Sequence, residues 1–485
     1  MSVPETPAGY KYAHIIGGKP AFSDSTVAIV NPATGLHLGD TPIASAKQLE
    51  DTIDSARSAF SEWSSKSYDE RAHVLVEIAR VVELGADDYK KLLTAEQGKP
   101  HRDALIEIMG SVYWFRETAK LRLQDTVQED TAERTVVTQH VALGVAAAIV
   151  PWNFPILLAA WKIAPALLAG NTVIVKPSPF TPLTTLRIIA DVQKVVPPGV
   201  LSVLSGDHEL GPLMTAHPGI DKIAFTGSSQ TGKQIIRSAS YNMTRFTLEL
   251  GGNDPMIILP EVDPEIMAPH IFWGAFSNNG QFCIAAKRIY IHESVYERVR
   301  DALVAYARKV VVGNGAHEGT QVGPVQNKPL FDKLRELFED TRARGCKFAL
   351  GGEFPAHSSA HGLFVPISIV DNPPEDARIV QEEQFGPIVP LLRWSDEEDV
   401  VRRANATQYG LAASVWGNDL RKARRIAGRI EAGNVWVNEI HKFGPTIPGG
   451  GHKHSGIGVE NGVDGLAHWT NLQTISINKG GIAPI

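Results

Sequence analysis

Cysteine is scarce in this sequence, with only Cys283 and Cys346 among 485 residues. Two cysteines cannot build the disulfide framework of a small secreted domain or a zinc site made of several thiolates. We therefore predict a protein of a reducing compartment, the cytoplasm, and no metal site.

A long apolar run is also missing, although a membrane-spanning helix needs about 20 predominantly apolar residues in succession. The most apolar stretch, 141–170, is broken by prolines and polar residues, namely Pro151, Asn153, Pro155, Lys162 and Pro165. Residues Met1–Tyr10 lack the basic and apolar regions of a signal peptide. The sequence predicts neither a membrane span nor secretion.

An excess of basic residues is absent as well. The net charge is -6, from 47 Lys and Arg against 53 Asp and Glu, so we predict no nucleic-acid partner. The composition that is present, 43% apolar and 21% charged, is typical of a globular protein, and the length suggests two or three domains.

Short apolar runs alternate with helical patterns between residues 144 and 252. The predicted strands are Val145–Val150, Thr172–Val175, Leu201–Leu204, Lys222–Phe225 and Thr244–Leu250, and the predicted helices are Ile156–Ala169, Pro182–Val195 and one from about Gln230. Such alternation indicates βαβ units and a parallel sheet covered on both faces.

A second α/β run follows between residues 254 and 438. Its predicted elements include strands Arg288–Ile291, Leu363–Ile369 and Val435–Val437 and helices Val295–Val310 and Asp419–Ile430. Residues 120–140 and Leu472–Ile477 look like strands outside the main sheets. The fold class we expect is α/β, with two doubly wound Rossmann-like domains and a small β extension.

Each strand of the first run ends in a polar or glycine-rich cluster. The five clusters begin at Pro151, Lys176, Ser205, Thr226 and Glu249. Ligands bind at the carboxyl ends of parallel strands, so a ligand site is predicted at this edge.

The segment Gly227–Lys233 follows a strand and opens a helix, a place where backbone amides bind phosphate. It nearly matches the P-loop, but Gln234 stands where a Ser or Thr would hold magnesium. A tight turn that merely needs glycine is the simpler interpretation. Taken singly, Cys283 is most simply a small buried hydrophobe, Glu249 a solvated strand end and Asn153 a core amide.

Together, seven motifs resemble the aldehyde dehydrogenase superfamily, in its order and at its spacings, from about Gly17 to Asn478. They are Pro151–Pro155, Lys176–Ser178, Phe225–Ser228, Glu249–Asn253, Gly280–Cys283, Glu383–Pro387 and Lys453–Gly456. The resemblance implies oxidation of an aldehyde to the acid with NAD(P), through a thioester on Cys283. It also implies a nicotinamide-cofactor domain at 1–120 and 143–248, a catalytic domain at 249–442 continuing to about 465, and oligomerisation segments at 121–142 and 466–485.

The resemblance assigns roles to single residues. Cys283 is the expected nucleophile, Asn153 the oxyanion donor and Glu249 the base that activates water. Lys162 and Glu460 match positions of a proton relay. The expected cofactor residues are Pro151, Trp152, Lys176, Ser178, Gly206, Thr226, Gly227, Ser228, Leu250, Gly251, Glu383 and Phe385.

Three departures from the family pattern affect cofactor and substrate. An acidic residue that grips the ribose of NAD in the family is replaced by Pro179, so this position does not exclude NADP. The expected cofactor is NAD or NADP, with NAD slightly favoured. Two aromatic positions of the substrate tunnel are Ser277 and Gly449, which predicts a wide tunnel and a bulky or aromatic aldehyde, unless neighbours refill the space. The rest of the expected pocket is Phe154, Trp161, Phe282, Ile284, His441 and Phe443.

Other functions remain open at this stage. A P-loop phosphotransferase needs the hydroxyl that Gln234 lacks, and a relative without catalysis would be favoured by loss of Cys283 or Glu249, both of which are present. A CoA-acylating member commonly lacks the base that Glu249 supplies. The resemblance further implies a homodimer or homotetramer.

Overall fold

The computed structural model describes residues 10–354 and 362–481. The ends of two predicted domain segments, residues 1–9 and 482–485, lie outside the described residues, as do residues 355–361. The prediction about Met1–Tyr10 therefore concerns residues that are almost all outside this range.

Two β-hairpins and four helices form the first part of the chain. They are β1 (His14–Ile16), β2 (Lys19–Ala21), β3 (Thr26–Val30), β4 (His37–Pro42), α1 (Ala46–Ser65), α2 (Tyr68–Leu84), α3 (Ala86–Gln97) and α4 (His101–Thr118). Helices α1 and α2 begin after Ser45 and Ser67, whose side chains accept the backbone N–H of Gln48 and Glu70 in capping boxes.

Strands and helices then alternate. These elements are β5 (Thr126–Asp130), β6 (Arg134–Ala142), β7 (Val145–Ile149), α5 (Pro155–Leu168), β8 (Thr172–Lys176), α6 (Leu183–Val192), β9 (Leu201–Val203), α7 (Leu210–Ala216), β10 (Lys222–Thr226), α8 (Ser229–Asn242) and β11 (Arg245–Glu249).

The remaining elements follow a similar alternation. They are β12 (Asp254–Ile258), α9 (Pro264–Phe276), β13 (Ala286–His292), α10 (Tyr296–Ala307), α11 (Lys328–Ala343), β14 (Lys347–Leu350), β15 (Ser368–Asp371), α12 (Arg378–Gln381), β16 (Ile388–Trp394), α13 (Glu397–Asn405), β17 (Tyr409–Gly410), β18 (Ala412–Trp416), α14 (Leu420–Ala427), β19 (Asn434–Val437), β20 (His452–Lys453), β21 (Gly456–Ile457), α15 (Gly462–Ala467) and β22 (Thr470–Asn478).

The first sheet has eight strands in the order β2-β1-β9-β8-β7-β10-β11-β21. Strands β9, β8, β7, β10 and β11 are parallel, and β21 joins antiparallel to β11. Strands β7, β8 and β10 are buried along their whole length because helices cover both faces.

The second sheet has seven strands in the order β14-β15-β16-β13-β12-β18-β19, all parallel except β14. The predicted α/β class with two Rossmann-like sheets is confirmed. The predicted strand Leu363–Ile369 is wrong over most of its length, because β15 begins only at Ser368. Pro366 has no N–H to donate, and Leu363 instead pairs singly with the backbone of Pro32 and Val325.

A separate three-stranded sheet has the order β22-β6-β5, which confirms strands outside the main sheets. Strands β6 and β22 pair over nine positions, from Arg134 with Asn478 to Ala142 with Thr470. Within residues 10–354 and 362–481, no helix combines the length and the apolar character that crossing a bilayer requires.

Candidate active site

The polar ends of β8, β10 and their neighbours meet in one cleft, as predicted from the strand ends. This strand-end cleft has a volume of about 430 Å³. Seven of the predicted cofactor residues line it, namely Pro151, Trp152, Lys176, Ser178, Thr226, Gly227 and Ser228. Pro179, which stands at the position of the missing acid, lies in the same wall.

The polar groups of the strand-end cleft suit a dinucleotide. Lys176 is buried, and burial lowers the pKa of its ammonium group to about 8, against the opposing charge of Asp207. The buried hydroxyl of Thr226 has no hydrogen-bond partner among the described residues. Helix α8 starts at the cleft, where the Ser228 hydroxyl accepts the N–H of Thr231. A helix N-terminus, a buried cation and a free hydroxyl fit phosphate and ribose groups.

The other predicted cofactor residues lie outside the walls of this cleft. Phe385 packs edge-on against Trp152, with ring centroids 5.5 Å apart, so it borders the cleft indirectly. Gly251 lies beside Glu383, since a Cβ there would be 2.5 Å from the Glu383 carboxylate. Gly206 and Leu250 are buried; Gly206 lies against Leu210, and Leu250 lies against Gly232.

The sequence analysis missed several residues of the strand-end cleft. Those from α8 are Thr231, Gln234, Ile235 and Ser238, and those from other elements include Phe180, His208 and Thr215. The α8 residues recur at intervals of three and four, so they share one helix face. Once Ser228 is placed in the cleft, this periodicity identifies them.

A strained turn carries Cys283. Asn278, Asn279 and Gly280 all have left-handed backbone angles, with φ of 51°, 61° and 71°. At Gly280 a Cβ would lie 2.3 Å from the carbonyl oxygen of Gly386, so only glycine fits. Consecutive left-handed residues cost free energy and occur where the surrounding structure holds a functional geometry.

Asn153 is clamped next to this turn. Its side-chain N–H₂ donates to the carbonyl of Gln281 at 3.1 Å. The backbone carbonyl of Asn153 accepts hydrogen bonds from Lys99 Nζ at 2.8 Å and from the side-chain amide of Asn278 at 3.2 Å. The buried Lys99 forms an ion pair with Glu107, which also accepts the N–H of Ile156 at the start of α5. Lys99 and Glu107 were missed because no local pattern relates them to Asn153.

Glu249 ends β11 close to the same turn. Three residues later, a Cβ on Gly252 would lie 2.7 Å from the carbonyl oxygen of Cys283. The Glu249 oxygen Oε1 is buried without a hydrogen-bond partner among the described residues. Burial raises the pKa of Glu249 well above its usual range, Glu460 raises it further, and Lys162 lowers it. The structure therefore brings Asn153, Glu249 and Cys283 together.

Several charges act on the thiol of Cys283. Burial raises the pKa of Cys283 to about 12; Lys287 lowers it, and Glu383, Asp254 and Glu249 raise it. Lys287, which the sequence analysis missed, is four residues after the cysteine. We call Cys283 with these four charged groups the thiol pocket.

The two residues expected to relay protons form a buried ion pair. Lys162 Nζ lies 2.6 Å from Glu460 Oε1, and the other carboxylate oxygen of Glu460 has no partner among the described residues. The backbone of Glu460 pairs with that of Gly449. A Cβ on Gly449 would lie 3.0 Å from the Asn434 amide. The pair is thus joined electrostatically to Glu249 and structurally to a predicted pocket residue.

The predicted pocket is largely a chain of aromatic rings. Phe154 lies 4.6 Å from Phe282, which lies 4.7 Å from His441 and 6.4 Å from Phe443, all between ring centroids. Phe443 continues to Trp161 at 5.5 Å. Burial lowers the pKa of His441 to about 4, and its Nε2 donates to the carbonyl of Ile284.

Trp114 was missed by the sequence analysis. It stacks on Trp161 with ring centroids 5.2 Å apart and contacts Phe443 at 5.8 Å. Its indole N–H donates to Asn461, which fixes its orientation. Ser277 follows α9 directly, six residues before Cys283, and its hydroxyl donates a hydrogen bond to the backbone carbonyl of Trp273.

Comparison with known proteins identifies the family of this chain. The model of the aldehyde dehydrogenase family matches residues 21–475. An aldehyde dehydrogenase, LUC3, of a Fusarium species is 41% identical over 96% of this chain and 99% of its own length. A phenylacetaldehyde dehydrogenase of Pseudomonas fluorescens is 36% identical over 96% of this chain and 95% of its own length.

A solved structure, the NAD+ complex of an aldehyde dehydrogenase from Bacillus cereus, is also similar. It is 33% identical, with a TM-score of 0.94 over 97% of both chains. The chain belongs to the aldehyde dehydrogenase family. The predicted enzyme class, an NAD(P)-dependent aldehyde dehydrogenase, is confirmed.

Proposed function

We propose that this enzyme oxidises a bulky or aromatic aldehyde to the carboxylic acid through a thioester on Cys283. The supporting observation is the meeting of three distant chain segments. The Asn153 amide donates to the Gln281 carbonyl. Gly252, three residues after Glu249, lies so close to the Cys283 carbonyl that a Cβ there would be 2.7 Å from its oxygen. A nucleophile, an oxyanion donor and a base are the groups that this reaction requires.

Cys283 attacks the aldehyde carbon as a thiolate, and the carbonyl oxygen becomes an oxyanion. The Asn153 Nδ2 has two hydrogens, of which one is bonded to the Gln281 carbonyl. The other, together with the backbone N–H of Cys283, stabilises the oxyanion. The clamp on the Asn153 carbonyl holds this donor in place before substrate arrives.

The nicotinamide, when bound, supplies the hydride acceptor, and loss of hydride from the adduct leaves a thioester on Cys283. Glu249 then removes a proton from the water that hydrolyses the thioester. Its raised pKa favours this step, because a carboxylate of raised pKa is a stronger proton acceptor than an ordinary one. The buried Lys162–Glu460 pair, which acts on Glu249, is proposed to take the proton onward.

The cofactor is NAD or NADP, with NAD slightly favoured. Lys176 is proposed to reach the adenine ribose and Ser228 a phosphate, both from the strand-end cleft. Glu383 is proposed to hold the nicotinamide ribose, with Phe385 packed near its ring. The side chain of Pro179 in the cleft wall can neither accept a hydrogen bond from a ribose hydroxyl nor repel a 2′-phosphate. NADP is therefore a possible cofactor as well as NAD.

The preference for a bulky aldehyde rests on the ring chain and on two small residues. Trp161, Phe282 and Phe443 are proposed to offer aromatic surface to a substrate ring, and the buried Trp114 supports them from behind by stacking on Trp161. Ser277 and Gly449 stand at two positions where the family pattern has aromatic side chains. The similarity to a phenylacetaldehyde dehydrogenase supports the same direction.

We propose further that the chain forms a homodimer or homotetramer in the cytoplasm, through the segments 121–142 and 466–485. Strand β22 exposes Leu472, Ile475 and Ile477, an apolar surface that assembly would cover. We propose the remaining division as well, into cofactor segments 1–120 and 143–248 and a catalytic segment 249–442 continuing to about 465. The strands of the second sheet, from β12 to β19, lie within 249–442, whereas β21 in the continuation joins the first sheet. Light scattering after size-exclusion chromatography measures the number of copies.

A panel of aldehydes of increasing width, tested with NAD and with NADP, checks the proposed function. We expect the reduced nicotinamide absorbance to grow without CoA, and kcat/KM to be higher for phenylacetaldehyde than for acetaldehyde. Growth of the signal only after addition of CoA would replace hydrolysis by acyl transfer to CoA. Preference for acetaldehyde would overturn the assignment of a bulky substrate.

A further inference from the structure

Lys287 is a buried cation whose hydrogen bonds go to the turn that carries Cys283. Its side chain is 3% exposed. Its Nζ donates to the carbonyls of Cys283, Phe282 and Ala285, the last two at 2.9 and 3.4 Å. An ammonium group has three N–H donors, so these carbonyls occupy all of them. The positive charge is thereby held beside the cysteine.

Three carboxyl groups from different elements act on the Cys283 thiol, and two of them, Glu383 and Asp254, also interact with this cation. Glu383 Oε1 lies 3.7 Å from Lys287 Nζ and accepts the N–H of Gly252 at 3.0 Å. Asp254 opens β12, is buried, and has an oxygen without a partner among the described residues. Glu249 comes from the end of β11. His441, whose pKa Lys287 lowers, faces it from the loop after β19.

These charges act on the Cys283 thiol with opposite signs. Lys287 favours the thiolate, whereas Glu383, Asp254 and Glu249 disfavour it. The 3.7 Å separation of Lys287 and Glu383 is too long for a hydrogen bond. The hydrogen bonds of the ammonium group go instead to the turn carbonyls, which hold its charge at the turn that carries the thiol.

We propose that Lys287 is a positioning residue whose ammonium group stabilises the Cys283 thiolate, and that Glu383 opposes it by attracting the same cation. This inference rests on the proposed function, in which Cys283 is the nucleophile. A purely structural Lys287 would hold the turn carbonyls without affecting ionisation of the thiol. The two roles predict different effects on ionisation of the thiol when the charge of Lys287 or of Glu383 is removed.

Alkylation by iodoacetamide measures the thiolate directly, since the sulfur anion forms the new S–C bond and iodide leaves. The rate is measured on the full chain without cofactor between pH 6 and 10, by mass spectrometry of the Cys283 peptide, with Cys346→Ser as background. We expect Lys287→Met to slow alkylation at neutral pH about tenfold, and Lys287→Arg to restore most of the rate. Glu383→Gln, which keeps an oxygen for Gly252, is expected to accelerate it several-fold.

Lys333→Met is the matched control, because Lys333 is exposed and, among the residues that the structure describes, its ammonium group has one hydrogen bond, to the backbone carbonyl of Glu383. We expect its alkylation profile to equal that of the parent. Equal profiles for Lys287→Met and the parent overturn the inference, as does a Glu383→Gln variant that reacts no faster. If Lys287→Met does not fold by circular dichroism, Glu383→Gln decides alone. Retained turnover in Cys283→Ala would instead remove the proposed function.

Discussion

The strand-end cleft and the thiol pocket are neighbours with different physical characters. The cleft is walled by backbone, small polar side chains and rings, with Lys176 as its buried cation. The thiol pocket gathers Cys283 with Lys287 and three carboxyl groups. Shape and hydrogen bonds therefore govern binding in the cleft, whereas proton positions govern reactivity in the pocket. Substitutions in the two regions are expected to change different kinetic quantities.

The largest effect is expected from Cys283→Ala. Without the sulfur no thioester forms, so turnover is expected to fall to background while binding of NAD, measured by fluorescence titration, is retained because the cleft is intact. Cys346→Ala is the control, since that half-buried cysteine packs at the edge of the second-sheet core. Turnover by Cys283→Ala would break the comparison, because the pocket would then hold no essential nucleophile.

Glu249→Gln is expected to reduce kcat by about 100- to 10,000-fold, the range typical of a lost general base. The base works only when ionised, and the pKa of Glu249 is raised by burial. Parent kcat is therefore expected to rise with pH above the ordinary carboxyl range, and the variant to lose that rise. Mass spectrometry is expected to show an accumulating acyl-enzyme; its absence at every pH would argue against Glu249 as the base for deacylation.

Pro179→Glu changes the strand-end cleft and leaves the thiol pocket as it is, and it has the smallest expected effect. A carboxylate in this wall repels a 2′-phosphate, so kcat/KM with NADP is expected to fall about 10- to 100-fold. The value with NAD is expected to hold or rise, and the pH profile of kcat to stay unchanged. Pro179→Ala separates charge from loss of the ring. An equal fall with both cofactors would show that residue 179 does not face the adenine ribose.

Much of the fold could be predicted because hydrophobic period and turn residues are local. All five strands predicted between 144 and 252 lie within about two residues of their positions in the structure. The prediction of a strand at 363–369 was wrong because it followed the apolar pattern and gave too little weight to Pro366, which has no N–H for pairing in a sheet.

The candidate site was predicted less evenly. Motifs led to Cys283, Asn153 and Glu249, but Lys99, Trp114 and Lys287 act through contacts that no short pattern encodes. Lys287 offered a partial signal, since it stands with Arg288 at the start of a buried strand, β13, where a charged side chain is costly to bury without a partner. Trp114 reaches its partners 47 and 329 positions away, and only the folded chain shows that.

The first sheet is completed by β21, and the three-stranded sheet by β22, both from the last thirty described residues. Most of the described chain must therefore be synthesised before β11 and β6 can pair with β21 and β22. Until then those two strands carry unpaired backbone edges, which are templates for intermolecular pairing. Completion of both sheets consequently depends on contacts of high sequence separation, and shielding of these edges until then would limit intermolecular pairing.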